Sequence, residues 1–158
     1  MSDPKTAADL AAFTDLINRY SLAMDSREWG LMDDVFTRDA VISMNGTPFS
    51  GRTIGVGAIR IFIECCALTH HMNSNVVIRR REHERVFVTS NFRAWHRGVD
   101  DHSEETFETM GTYEDEFIRT ESGWRICRRD ESSPIVMGDY SFFEAAVPRI
   151  EALLAGSC

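Results

Sequence analysis

From about residue 70 to residue 129 the sequence reads as one run of long antiparallel strands, and this run limits the available folds more than any other feature. Four strands are expected, at about 70–81, 84–97, 104–120 and 124–129, parted by a polar turn at Arg81 to His83 and a glycine turn at Thr120 to Gly123. A sheet this large must bury one face against something. The covering material comes earlier in the chain. Leu10, Phe13, Leu16, Ile17, Tyr20 and Met24 recur at spacings of three and four, with Asp9, Asp15, Asn18 and Arg19 on the other side, which predicts an amphipathic helix over 7–24. A short helix at about 27–36 carries Trp29, Leu31, Met32, Val35 and Phe36, with Ser26 as its N-cap. A strand at about 40–45, a loop marked by Gly46, Pro48, Gly51, Gly55 and Gly57, and a helix at about 56–68 follow. The tail from Tyr140 to Leu154 reads as a closing helix that Pro148 would break or kink. Helices first and strands second predict an α+β fold with the helices on one face of a curved sheet. A length of 158 residues fits one domain, 1–158.

The formal charge of −8 argues against nucleic acid as a partner, because phosphate binding needs a basic face. Asp100, Asp101, Glu104 and Glu105 read as a solvated loop. No apolar run reaches membrane-spanning length, and the N-terminus lacks a basic-then-apolar signal pattern, so a cytoplasmic protein without a membrane partner is expected. Cys65, Cys66, Cys127 and Cys158 form no CxxC and are expected as free thiols rather than zinc ligands.

Side-chain alternation places the chemistry. In the strand 84–97, Val86, Val88, Ser90, Phe92, Ala94 and His96 share a face that is apolar and small, so His96 points inward. In the strand before it, His71, Asn73, Asn75 and Val77 share a face that suits a pocket wall, which leaves His70 outside and His83 and His102 in turns. Two inward histidines and an Asp at a helix end, Asp25, are a proton-transfer set: imidazole titrates near neutrality, and a carboxylate beside it holds its tautomer. Each member also has a plainer explanation. Either histidine can be a hydrogen-bonded core residue, Tyr20 belongs to the apolar stripe of its helix, and Asp25 can interact with the dipole of the next helix. On an ideal helix Tyr20 and Asp25 lie about 140° apart, so they converge only if the helix ends or bends between them. His71, His96 and Asp25 also satisfy the donor types of a two-histidine, one-carboxylate iron site, but nothing in their spacing favours it over acid–base work. GxSxG, GxGxxG and a phosphate loop are all missing, and neither metal nor cofactor is expected. Met24, Trp29, Asn75, Phe92 and Met110 are candidate pocket-lining side chains.

The segments RYSLAMDSREWGLMDDVFTRDA, THHMNSN and GTYEDEFIRTESGWRICRR, in this order around a Gly-rich loop and helix, resemble the SnoaL-like group of the nuclear transport factor 2-like superfamily over residues 8–130. The resemblance implies a cone-shaped α+β barrel, a strongly bent antiparallel sheet whose N-terminal helices enclose a pocket. DSREW is similar to the segment that carries the site Asp of scytalone dehydratase and points to Asp25, with His71 and His96 as the two histidines. Met24 stands where that enzyme has a Tyr. A Tyr five residues before the Asp, as in bile-acid 7α-dehydratase, is matched by Tyr20. An Arg late in the sheet, used there and in hexachlorocyclohexane dehydrochlorinase, is matched by Arg129 or Arg128, with Arg129 preferred on its spacing from Trp124.

The activity implied is a cofactor-independent lyase of the dehydratase type, acting on a small, cyclic, largely apolar hydroxylated substrate. An isomerase, a cyclase, an epoxide hydrolase and a non-catalytic subunit like the β subunit of ring-hydroxylating dioxygenases are the alternatives. By the same resemblance the protein would be a homo-oligomer, a trimer or a dimer.

Overall fold

The computed structural model describes residues 4–156, so the N-terminal Met1 to Asp3 and the thiol of Cys158 lie outside the described residues. Helix α1 (Pro4–Ser26) is followed by a 3-10 turn at Trp29–Leu31 and a single α-turn, α2 (Met32–Val35). Then come strands β1 (Phe36–Met44) and β2 (Thr47–Ser50), helix α3 (Arg52–Ile63), and four long strands: β3 (Cys66–Glu82), β4 (Arg85–Gly98), β5 (Thr106–Thr120) and β6 (Gly123–Gly138). A 3-10 segment (Ser141–Ala146) and helix α4 (Val147–Ala155) close the chain. The six strands form one curved, unclosed sheet in the order β2-β1-β6-β5-β4-β3, with β1 parallel to β6 and every other pair antiparallel. The expected α+β class, with helices against a strongly bent sheet, is what the chain adopts.

The concave face holds the main core. Phe13, Ile17 and Tyr20 of α1 pack with Val35, Phe36, Ile42, Phe117 and Ile126, all buried. Among the described residues no helix is long and apolar enough to cross a membrane.

Local departures from the sequence expectations have physical causes. The segment around Gly46 is a hairpin rather than a loop: Asn45 and Gly46 both take left-handed φ, 47° and 85°, as a two-residue primed turn between β1 and β2 requires. Gly55 and Gly57 lie inside α3, where Gly55 leaves room for Ile42 and Gly57 for Leu153. Ser26 does not cap a new helix; its hydroxyl donates to the Leu22 carbonyl within α1. Pro148 sits in the first turn of α4, where a missing N–H costs nothing, so it starts that helix instead of breaking it.

Two of the sheet's bulges decide which side chains face the site. Ser74 faces Asn91 while Val77 faces Thr89, so β3 carries one extra residue there, with Asn75 at φ 52°. Ile126 faces Phe117 while Arg128 faces Glu116, so β6 gains one at Cys127.

Candidate active site

A cavity of about 550 Å³ lies between the concave sheet and the helices. Its walls are largely apolar, with Met24 from α1, Phe92 from β4 and Phe143 from the C-terminal segment among them. The polar groups that reach it come from several strands: His71 on β3, His96 on β4, Thr109 and Tyr113 on β5, and Glu131 on β6.

Asp25 occupies the last turn of α1, the negative end of the helix dipole, where a carboxylate is disfavoured unless donors hold it. Three donors do. His71 Nδ1 lies 2.6 Å from Oδ1, the His71 backbone N–H donates to Oδ2 at 2.9 Å, and the Thr69 hydroxyl donates to Oδ1 at 2.8 Å. Desolvation pushes the Asp25 carboxyl up, but these bonds, with the His71 side chain foremost, outweigh it and hold the group below its ordinary value. An ionised carboxylate can only accept, so the proton between the two residues sits on His71 Nδ1. In the neutral ring Nε2 is then the acceptor, and His71 lines the cavity with its side chain only 5% exposed. No bend in α1 is needed. The helix runs unbroken to Ser26, and Asp25 grips the backbone and ring of His71 on β3 while Tyr20 points into the core.

The chain reverses immediately after Asp25 at Arg27, a non-glycine residue at φ 63°. Its guanidinium donates to the carbonyls of Met24, Cys66 (3.0 Å) and Ile63 (3.5 Å) and to the Thr69 hydroxyl (2.9 Å). Arg27 therefore stitches the end of α1 to the start of β3, the two segments that must stay in register for Asp25 to meet His71.

His96 stands edge-to-face with His71, ring centroids 5.4 Å apart, and is 6% exposed. Its Nδ1 faces the Phe107 carbonyl at 3.3 Å, which makes Nδ1 the donor and Nε2 an acceptor. Burial, helped by the neighbouring His71, lowers its pKa to about 4, so the ring is neutral near pH 7.

Arg129 takes a different place from the one the resemblance implied. It is fully buried, does not line the cavity, and makes a two-pronged ion pair with Asp115, Nε to Oδ1 and Nη2 to Oδ2 both at 2.7 Å. The rings of Tyr20 and Tyr113, set edge-to-face to each other, lie 4.2 and 4.1 Å from its guanidinium. Tyr20 reaches the cavity beside it, and burial pushes the Tyr20 phenol well above its ordinary value.

Four expected pocket residues lie elsewhere. The bulge at Asn75 turns that residue outward, where it is exposed. Trp29 packs on the flank of the core, with the Arg60 guanidinium 6.0 Å from its ring. Met110 is half-buried and outside the cavity lining. Arg128 faces outward to Asp130 at 2.6 Å, because the bulge at Cys127 sends Arg129, not Arg128, to the side of Trp124 and Ile126. Met24 and Phe92 do line the cavity. Thr69, Arg27, Asp115 and Glu131 were not singled out from sequence. Glu131 follows Arg129 by two on a strand, which would have placed it on the same face. Among the described residues no group of three His, Cys, Asp or Glu side chains is arranged to hold a metal ion.

The SnoaL-like domain profile matches residues 5–130. No curated protein matches the chain in sequence. In three dimensions it is similar to an aromatic ring hydroxylase candidate from Novosphingobium aromaticivorans (23% identity over 90% of this chain and 99% of the other, TM-score 0.78). It is also similar to a scytalone dehydratase candidate from the same species (20%, 85% and 90%, TM-score 0.76). A third similar structure is hexachlorocyclohexane dehydrochlorinase from Novosphingobium barchaimii (16%, 88% and 95%, TM-score 0.76). At these identities the likeness shows the fold, which is the NTF2-like cone.

Proposed function

We propose, from the premise that this chain belongs to the SnoaL-like domain family, that its cavity is the active site of a cofactor-independent lyase of the dehydratase type. The observation that carries the reading is the Asp25–His71 pair, which leaves His71 Nε2 as a free base on the cavity wall. His71 takes a proton from a carbon next to a carbonyl. Asp25 fixes the tautomer and stabilises the imidazolium that forms. The Tyr20 phenol keeps its proton and donates a hydrogen bond to the oxygen where negative charge develops. His96, neutral and an acceptor at Nε2, orients a substrate hydroxyl. The apolar walls select a small cyclic substrate with few polar groups. Dehydratase and dehydrochlorinase names among the structural neighbours agree with this class of chemistry.

A screen of β-hydroxy cyclic ketones for water loss tests the reading. His71→Ala should lower kcat/KM by about 10⁴-fold and Asp25→Asn by about 10³-fold, both variants remaining folded. If the wild type eliminates water and both variants keep its rate, the assignment is wrong. The likeness to a ring-hydroxylase candidate supports one other reading, a non-catalytic oxygenase subunit. Co-purification with an iron–sulfur oxygenase subunit, without any turnover by the isolated chain, would favour that one.

A further inference from the structure

The cavity holds a carboxyl group that the chemistry above does not use. Glu131 follows Arg129 on β6 at the strand's two-residue period, so both face the concave side, and Glu131 lines the cavity. Its backbone is fixed by the Asn45 N–H, which donates to the Glu131 carbonyl at 2.9 Å. The Asn45 side chain in turn grips Ser133, donating to its hydroxyl at 2.7 Å and accepting from its backbone N–H at 2.9 Å. The groups that act on the carboxyl are Arg129 and Ser133 of its own strand, and the carboxyl acts in turn on the phenols of Tyr20 from α1 and Tyr113 from β5. Both phenols are neutral. Arg129 gives Nε and Nη2 to Asp115 and its Nη1 makes no hydrogen bond, so no cation is hydrogen-bonded to Glu131. Burial accordingly pushes its carboxyl up to about 7, against the smaller opposing effects of Arg129 and Ser133.

An elimination of water needs an acid as well as a base, because hydroxide is a poor leaving group. The polar groups of the wall can be taken one by one. His71 and His96 each hold their proton on Nδ1, toward Asp25 and the Phe107 carbonyl, and offer only an acceptor to the cavity. Arg129 is paired to Asp115 and does not line the cavity. Tyr20, Tyr113 and Tyr140 hold their protons too tightly to give them up near neutral pH, and the Thr47, Thr109 and Ser133 hydroxyls are weaker acids still. Glu151 stands on the exposed rim. Glu131 remains.

We propose that Glu131 is the acid of this site, a second catalytic residue that protonates the oxygen leaving the substrate while His71 removes the carbon-bound proton. The inference rests on the lyase reading above. The step balances: the C–H bond breaks and its proton goes to His71 Nε2, its electron pair forms the new C=C bond, and the C–O bond breaks toward oxygen. That oxygen takes the Glu131 proton and departs as water. The resulting carboxylate and imidazolium recover their starting states by proton transfer through solvent.

The test pairs two leaving groups on the full-length protein. On a β-hydroxy cyclic ketone, Glu131→Gln should lower kcat by about 100-fold with little change in KM. On the β-chloro analogue it should leave kcat unchanged, because chloride departs without a proton. Glu131→Asp, which keeps an acid, should recover part of the hydroxy-substrate rate and guards against a packing effect of the amide. NMR titration of carboxyl-labelled glutamate, with the Glu131 signal identified by its loss in Glu131→Gln, should give a midpoint near 7. An ordinary glutamate midpoint overturns the proposal, as does an equal loss on both substrates or no loss on either. A wild type that eliminates neither substrate overturns the lyase reading itself.

Discussion

Two acid–base pairs of nearly equal length serve opposite ends in this molecule. Asp25 and His71 meet at 2.6 Å, and Asp115 and Arg129 at 2.7 Å. The side chains of the second pair are 1% and 0% exposed, and the Arg129 guanidinium packs against the rings of Tyr20 and Tyr113. The first pair keeps one nitrogen, His71 Nε2, without a partner on the cavity wall, and its Asp side chain is 22% exposed. Length does not separate a working pair from a scaffold pair. What separates them is where the spare group lies: His71 Nε2 is a free acceptor on the cavity wall, whereas the unpaired nitrogen of Arg129, Nη1, is buried in a side chain that does not line the cavity.

Breaking the scaffold pair should have the largest effect. Arg129→Met leaves the Asp115 carboxylate buried without a counter-charge and should cost about 3–5 kcal/mol in urea unfolding. The double variant Arg129→Met/Asp115→Leu removes both charges and should recover most of that loss. The folded double variant should still eliminate water from the substrate that the wild type accepts. If it folds and is inactive, Arg129 belongs to the chemistry after all, and the distinction between the two pairs collapses.

The sequence and the fold agree where periodicity is unbroken. The stripe from Leu10 to Met24 is a helix, and the alternation from Val86 to His96 does send Phe92 and His96 inward. They part at bulges, because one inserted residue reverses the face of everything after it. Asn75 was expected on the pocket wall and is exposed, and the Arg128 or Arg129 alternative could not be resolved before the bulge at Cys127 was known. Asp25 and His71 were legible as types and order, but not as a contact, since 46 positions separate them. Arg27 could not be read at all. Its role depends on a left-handed backbone that brings its guanidinium back over three carbonyls, and nothing in DSREW marks an arginine for that conformation.

The cavity wall and the scaffold also differ in what pH does to them. His96 falls from an ordinary 6.5 to about 4 on folding, so its contribution is complete above pH 6.5 and is lost as pH drops toward 4. Glu131 rises from 4.5 to about 7, so its contribution is complete below pH 4.5 and is lost as pH climbs through 7. Each is worth about 3 kcal/mol at 1.36 kcal/mol per pH unit, and the two slopes oppose each other across nearly the same window. Wild-type stability should therefore be almost flat from pH 4.5 to 7. Glu131→Gln should expose the His96 slope, its stability rising with pH over that range, and should gain on the wild type by about 3 kcal/mol between pH 4.5 and 8. A constant difference between the two proteins across chemical denaturation curves at those pH values would refute this assignment.

The smallest effect sharpens the comparison from the side of the working pair. Arg27 can only donate, and it donates to the Thr69 hydroxyl at 2.9 Å, so the hydroxyl must turn its own proton toward Asp25 Oδ1 at 2.8 Å. Thr69 therefore relays the guanidinium charge to the carboxylate without placing a cation against it. A direct Arg–Asp contact would use up the carboxylate, as happens to Asp115. The relay leaves Asp25 free to face His71. Thr69→Val removes the relay at constant shape. It should lower kcat about tenfold with KM unchanged, near 1.4 kcal/mol, and raise the Asp25 midpoint in an NMR titration of carboxyl-labelled aspartate, because Asp25 loses one of the bonds that hold its pKa down. Thr69→Ser should restore both. A fall in kcat with an unmoved Asp25 midpoint would mean that Thr69 only packs the turn, and that the Asp25 carboxylate is held by His71 alone.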